Sequence, residues 1–157
     1  MKFARRALVL SLLFGFALAV PGLAGAQNYP DSIKQMVAAA KAQVKVINME
    51  QFKAGYDKKD LGLIVDVRNP DEYAAGHVAG AVNVSRGLLE FTVWDQVGYP
   101  DKTDLNKKLT LYCKTGGRCA LASKTLKDLG FTNVTSADMK IEEWIKAGYP
   151  AAKGPQP

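Results

Sequence analysis

Two dense apolar runs limit most strongly what this chain can fold into. They are "LGLIVDV" at 61–67 and "LTLYC" at 109–113. Short runs of this kind are typical of strands that are covered on both faces of a sheet. Three shorter segments, at 44–47, 81–84 and 133–135, are also predicted to be strands.

Helical segments alternate with these strands. The pattern predicts helices over 31–43, 48–54, 85–91, 118–129 and 141–147, and one helical turn within "NPDEYAAGH" at 69–77. Short apolar strands that alternate with helices favour an α/β fold, a three-layer sandwich with a roughly five-stranded, mainly parallel sheet flanked by helices. Ligands of such sheets bind beyond the carboxyl ends of the strands, and Cys113 stands at one of these ends.

The segment "CKTGGRC" at 113–119 has the composition of an anion-binding loop around a thiol. Only a thiolate is nucleophilic, and a helix N-terminus, cations and backbone N–H groups stabilise one. The two glycines allow successive N–H groups to face inward. We therefore predict a cradle for the Cys113 thiolate and a bound anion. A Cys113–Cys119 disulfide, or two buried thiols, would also be compatible with this segment. The predicted cradle comprises Lys114, Thr115, Gly116, Gly117, Arg118 and Cys119.

Three segments, in this order, resemble the rhodanese (sulfurtransferase) family. They are "IVDVRNPDEYAAGHVAGAVNV" at 64–84, "YCKTGGRC" at 112–119 and "EEWIKAGYP" at 142–150. In the second segment, Cys113 matches the family's catalytic cysteine and Arg118 its loop arginine. The resemblance spans roughly 44–150, and several spaced motifs are more specific than one short pattern.

This resemblance implies a sulfurtransferase without a cofactor. Cys113 would take a sulfane sulfur from a donor such as thiosulfate, carry it as a persulfide, and pass it to cyanide or a thiol. The alternative is a non-catalytic sulfur-carrier or partner-docking domain. Related phosphatases and arsenate reductases have five residues between the cysteine and the arginine, whereas this chain has four, which disfavours a phosphatase.

The other candidate residues are expected to support the site or to contact the substrate. Structural support is expected from Asp66, Arg68, Glu72 and His77, with Glu72 paired to Arg68. Arg86 is either a substrate contact or a solvated surface charge.

Two further positions leave alternatives open. Cys119 is a small buried residue, a resolving thiol or a disulfide partner. Met139 and Lys140 stand where the family usually has a glycine pair, so Lys140 can add a cation at the entrance.

The first 26 residues have the pattern of a secretory signal peptide. Positive charges precede an apolar stretch at 7–20, and "AGA" at 24–26 is typical of a cleavage site. We therefore expect an exported, soluble, periplasmic protein that is not stably inserted in a membrane. The expected domains are the signal peptide (1–26), a helical extension (27–43), the rhodanese-like domain (44–150) and a flexible tail (151–157).

Composition and charge limit the partners. Without the three basic residues of the signal peptide, 18 Lys and Arg face 15 Asp and Glu, a balance of +3 that does not indicate nucleic-acid binding. One His and two Cys supply no tetrahedral metal site. The expected partners are small sulfur-containing anions, thiol acceptors and a protein sulfur donor or acceptor.

Overall fold

A five-stranded parallel sheet organises residues 29–156, the part of the chain that the computed structural model describes. In space its strands follow the order β1, β6, β5, β2, β4, and a separate antiparallel pair joins β3 to β7. The strands are β1 (Lys45–Asn48), β2 (Leu63–Asp66), β3 (His77–Val78), β4 (Val82–Asn83), β5 (Leu109–Tyr112), β6 (Val134–Asp138) and β7 (Ala151–Ala152).

Six α-helices are found in the described range, together with a 3-10 helix over Val93–Val97. They are α1 (Asp31–Lys41), α2 (Met49–Asp57), α3 (Pro70–Ala75), α4 (Leu89–Thr92), α5 (Gly117–Asp128) and α6 (Ile141–Lys146). The predicted α/β architecture, a five-stranded parallel sheet flanked by helices, is confirmed.

The sheet is covered on both faces because side chains alternate along its central strands. Val65 and Leu111 lie in one apolar core with Leu126 of α5. Ile64 and Tyr112, their neighbours in the chain, lie in the other core with residues of α2 and α6. Every residue of β5 is buried, as the apolar run at 109–113 predicts.

Two predicted elements differ from the structure. The helix expected over 85–91 begins only at Leu89, and the 3-10 helix follows it. The flexible tail expected from 151 is wrong for its first residues, because Ala151–Ala152 pairs with His77–Val78. Two-residue strands have too few side chains to show a period of two, so the sequence contains no signal for them.

The predicted signal peptide, 1–26, lies outside the described residues. Between residues 29 and 156, no helix has the length and apolar character that crossing a bilayer requires.

Candidate active site

Cys113 lies where β5 ends, four residues before the start of α5 at Gly117. Only 1% of the residue is exposed to solvent. The intervening turn requires a glycine at position 116, where φ is +89°. This left-handed residue precedes the first turn of α5, so the positive end of the helix is directed toward the thiol.

Hydrogen-bond donors surround the Cys113 sulfur. The Gly116 N–H donates to Sγ at 3.2 Å. The neighbouring Cys119 thiol, together with backbone N–H groups of Cys119, Thr115 and Gly116, lowers the pKa of Cys113 to about 6. These donors outweigh burial, which by itself would raise the pKa. These groups therefore favour the thiolate, the form that a nucleophile requires.

Cys119 is fully buried in the first turn of α5, and both cysteines are free thiols. Its sulfur donates to the carbonyl oxygens of Gly116 at 3.2 Å and Ala137 at 3.3 Å, and it accepts from the Ser136 hydroxyl. The neighbouring Cys113 sulfur and burial raise the pKa of Cys119. The two cysteines thus differ in protonation, and Cys119 is a neutral hydrogen-bond donor at neutral pH.

Arg118 forms a two-pronged ion pair with Glu72 at the rim of the loop. Its two terminal nitrogens lie 2.6 and 2.8 Å from the carboxylate oxygens of Glu72. The prediction that Glu72 pairs with Arg68 is therefore wrong. The guanidinium of Arg118 lowers the pKa of Glu72 to about 2, and the Asn69 N–H contributes to the same shift. The pair fastens α3 to the first turn of α5.

Arg68 instead pairs with Asp66 at the end of β2. Both residues are buried, and the shortest N–O distance between them is 2.6 Å. Arg68 also donates to the carbonyl oxygen of Gly76 at 2.7 Å. The pair therefore ties the strand end to the end of α3.

His77 is buried at the start of β3. Its Nδ1 lies 2.8 Å from the carbonyl oxygen of Tyr73, and its ring stacks on the Tyr73 ring at 3.6 Å. The contacts of its ring are thus with Tyr73, whereas its backbone pairs with Ala152 of β7. This arrangement agrees with a supporting role in the loop.

Two residues near the loop are not indicated by the sequence. They are Asp138 at the end of β6 and Lys41 at the end of α1. A Cβ at position 116 would overlap Asp138 Oδ1, so this carboxylate lies directly against the loop glycine. Asp138 Oδ2 accepts from Lys41 Nζ at 2.6 Å. Because 97 residues separate this pair, no local pattern could have indicated it.

The remaining predicted cations all have carboxylate partners. Arg86 bonds to Glu90 at 3.1 Å and to the Thr125 hydroxyl at 3.3 Å. Lys114 belongs to the Cys113 loop, and its Nζ lies 3.5 Å from a carboxylate oxygen of Glu142.

At the position of the usual glycine pair, Met139 is buried in the apolar core that contains Tyr112. Lys140 is exposed and bonds to Glu143 at 2.7 Å. Its ammonium group is thus held by a residue of α6.

An open cleft of about 1120 Å³ lies beside the loop. One wall consists of loop residues and Glu72, and the other is provided by α1. The structure does not place Arg86 among the described residues that line it. The lining comprises Tyr29, Ile33, Lys34, Val37, Ala38, Lys41, Glu72, Lys114, Thr115, Gly117, Arg118 and Leu121.

Comparison with known proteins connects this site to a family. The family model of the Rhodanese-like domain matches residues 48–147. The thiosulfate sulfurtransferase GlpE of Pseudomonas putida is 35% identical over 94 residues, which are 60% of this chain and 78% of that protein. The thiosulfate:glutathione sulfurtransferase of Saccharomyces cerevisiae is 29% identical over 117 residues, 68% of this chain and 82% of that protein.

A solved structure agrees with these matches. The polysulfide-sulfur transferase homodimer of Wolinella succinogenes has a TM-score of 0.62 and 29% identity, over 78% of this chain and 88% of that one. By sequence and by fold, the chain belongs to the rhodanese-like domain family.

Proposed function

We propose that the protein is a sulfurtransferase that moves a sulfane sulfur from a donor such as thiosulfate, through a Cys113 persulfide, to a thiophilic acceptor. The observation that carries this proposal is the position of the Cys113 sulfur before the N-terminus of α5, where the Gly116 N–H donates to it at 3.2 Å. Membership of the rhodanese-like family supports a general role in sulfur transfer or sulfur carriage. The named relatives that act on thiosulfate support the choice of donor.

In the first half-reaction, Cys113 takes up the sulfur atom and the loop stabilises the product. The Cys113 thiolate attacks the outer sulfur of thiosulfate, the S–S bond of the donor breaks, and sulfite leaves with the bonding electron pair. The negative charge then lies on the terminal sulfur of the persulfide. The N–H groups of the loop and the N-terminus of α5 stabilise that charge without reorganising.

The second half-reaction returns the thiolate. An acceptor nucleophile attacks the terminal sulfur, the bond to Cys113 Sγ breaks, and its electron pair stays on Sγ. Because the sulfur passes between anions, its transfer needs no strong base. This is in keeping with the supporting position of His77. Arg118 contributes positive charge at the rim, although Glu72 offsets part of it.

A sulfur-carrier function is the second candidate, favoured by the 1% exposure of Cys113. A carrier would load sulfur from a specific donor and would release it poorly to cyanide. Thiosulfate:cyanide turnover by the full domain separates the two candidates, since only an enzyme sustains many cycles.

Intact-mass spectrometry after thiosulfate treatment tests the chemistry common to both candidates. The wild-type protein should gain one sulfur atom, which a reducing agent removes, and Cys113→Ser should gain none. Cys119→Ala should still gain the sulfur atom if Cys119 is not the nucleophile. Uptake by Cys113→Ser, or loss of uptake only in Cys119→Ala, would contradict the assignment of Cys113.

A further inference from the structure

We propose that Cys119 is a resolving thiol that discharges the Cys113 persulfide when no external acceptor does so. Its attack releases sulfide and closes a Cys113–Cys119 disulfide. This inference rests on the proposed sulfurtransferase function, because it needs a persulfide on Cys113, and it gives that persulfide a second outcome. The chain contains only two cysteines, so no other thiol of the same molecule can take this part.

One residue, Gly116, contacts both sulfur atoms. Its N–H donates to Cys113 Sγ at 3.2 Å, and its carbonyl oxygen accepts from Cys119 Sγ at 3.2 Å. Each sulfur also has the largest single effect on the pKa of the other, as expected of side chains that are direct neighbours. The two free thiols are therefore held next to each other by one glycine.

Burial favours a reaction between these two residues. Cys113 is 1% exposed and Cys119 is fully buried, and both belong to the same apolar core. A thiol from solution must enter this core, whereas Cys119 is already there. Reactions between groups that are held together are strongly accelerated, so Cys119 is well placed to attack the inner sulfur of the persulfide.

Sulfur uptake by Cys113 favours ionisation of Cys119. The neighbouring Cys113 sulfur is the main cause that raises the pKa of Cys119, and burial adds to it. In the persulfide the negative charge moves from Sγ to the terminal sulfur, so Sγ no longer opposes a second anion beside it. The Ser136 hydroxyl donates to Cys119 Sγ at 3.3 Å and lowers that pKa. Loading of Cys113 thus makes Cys119 a better nucleophile.

The resolving step balances without a further oxidant. The Cys119 thiol loses its proton and its sulfur attacks Cys113 Sγ. A disulfide bond forms, and the bond between Sγ and the terminal sulfur breaks. The electron pair leaves on the terminal sulfur, which takes up the proton and departs as hydrosulfide. The sulfane sulfur is reduced to sulfide, the two cysteines are oxidised, and one negative charge is present before and after the step.

Intact-mass spectrometry over time tests the proposal. The protein is treated with thiosulfate, freed of donor in the absence of air, and kept in buffer without thiols or cyanide. We expect the added sulfur to disappear with time, to leave a chain that lacks two hydrogen atoms, and to be recovered as sulfide. Trypsin cleaves after Lys114 and Arg118, so the disulfide should link peptide 109–114 to peptide 119–124.

Three substitutions of buried residues assign the reaction. Cys119→Ala should keep its added sulfur at least about tenfold longer than the wild type, because the internal nucleophile is absent. Ser136→Ala should slow the loss of sulfur by about threefold or more, because it removes a hydrogen bond that stabilises the Cys119 thiolate. Ser123→Ala is the matched control. This hydroxyl is buried on the same helix as Cys119 and has no hydrogen-bond partner among the described residues, so the rate should stay within about twofold.

A wild-type persulfide that lasts as long as that of Cys119→Ala would overturn the proposal. So would a disulfide between peptide 109–114 and the same peptide of a second chain. Equal slowing by Ser136→Ala and Ser123→Ala would likewise contradict attack by a Cys119 sulfur that Ser136 activates. Failure of the wild-type protein to gain sulfur at all would instead refute the proposed function. Circular dichroism establishes that each variant is folded, and the serine pair carries the test if Cys119→Ala is not.

Discussion

At the level of single residues, the reactivity of Cys113 depends on groups from several parts of the chain. The strand end supplies the thiol, the loop supplies N–H donors, and the first turn of α5 supplies the Cys119 thiol. Residues 113–119 are close in sequence, so this part of the site could be predicted from the motif. The ion pairs around it could not.

The pH dependence of alkylation should report the thiolate. With a pKa of about 6, the reaction of Cys113 with iodoacetamide should be near its maximum above pH 7. One unit below that pKa the thiolate fraction, and hence the rate, should be about a tenth of the plateau. The rate therefore falls as the pH falls, and stopped assays at pH 4.5–9 followed by mass spectrometry measure it.

Two variants assign that profile. Cys113→Ser should remove the fast phase, since the remaining thiol is buried and its pKa is raised. Cys119→Ala should move the midpoint to higher pH because it removes the neighbouring thiol, which lowers the pKa of Cys113. An ordinary alkaline midpoint in the wild-type protein would contradict the anionic loop.

Arg118 and Glu72 are both indicated by the sequence, but the partner of Glu72 is Arg118 and not the predicted Arg68. Arg68 is nearer in sequence, but Asp66 and the carbonyl oxygen of Gly76 occupy it. Glu72 instead meets an arginine 46 residues away, because α3 and α5 reach the same sheet edge. The partner of a charged side chain depends on tertiary placement, which local spacing does not encode.

At the level of elements, the turn from β5 to α5 determines the geometry of the site. Gly116 must adopt a positive φ and must also leave room for Asp138. Gly80 allows the two requirements to be tested separately. It also has a positive φ, +81°, but no atom lies within 4 Å of a Cβ placed on it.

Gly116→Ala should destabilise the fold by about 1–3 kcal/mol and impair sulfur uptake, since the added methyl group collides with Asp138. Gly80→Ala has only the backbone cost, about 1 kcal/mol, and should keep normal uptake. Urea unfolding and mass spectrometry after thiosulfate treatment measure the two effects. Similar losses of uptake in both variants would show that backbone strain, rather than the contact with Asp138, matters.

The elements themselves were largely predictable, and their boundaries less so. Buried strands such as β5 stand out because both of their faces must be apolar. The helix predicted over 85–91 failed at its start, because 85–88 form no helix and contain a single large apolar side chain, Leu88. Gly87 lies within the predicted span, and a glycine lowers the tendency to form a helix.

At the level of the whole molecule, the sheet separates two apolar cores, and Cys113 belongs to only one of them. Cys113 and Cys119 pack with residues of α4 and α5. The other core is aromatic: Trp144 contacts the Phe52 ring at 5.2 Å and the Tyr149 ring at 4.9 Å. Its indole N–H also donates to the carbonyl oxygen of Pro150 at 2.9 Å.

Trp144→Ala should therefore lower the free energy of unfolding by about 3–5 kcal/mol. Ile145→Ala, at a 42% exposed position of the same helix, should cost about 1 kcal/mol or less. Urea unfolding followed by circular dichroism measures both. A small effect of Trp144→Ala would mean that the aromatic core contributes little to stability.

The ion pair between Lys41 and Asp138 connects α1 to the loop that carries Cys113. While α1 is docked, the ammonium group of Lys41 neutralises the Asp138 carboxylate, which lies against Gly116 in the Cys113 loop. Detachment of α1 would leave this carboxylate without Lys41. The charge of Asp138 raises the pKa of the Cys119 thiol, so undocking of the helix would raise that pKa further.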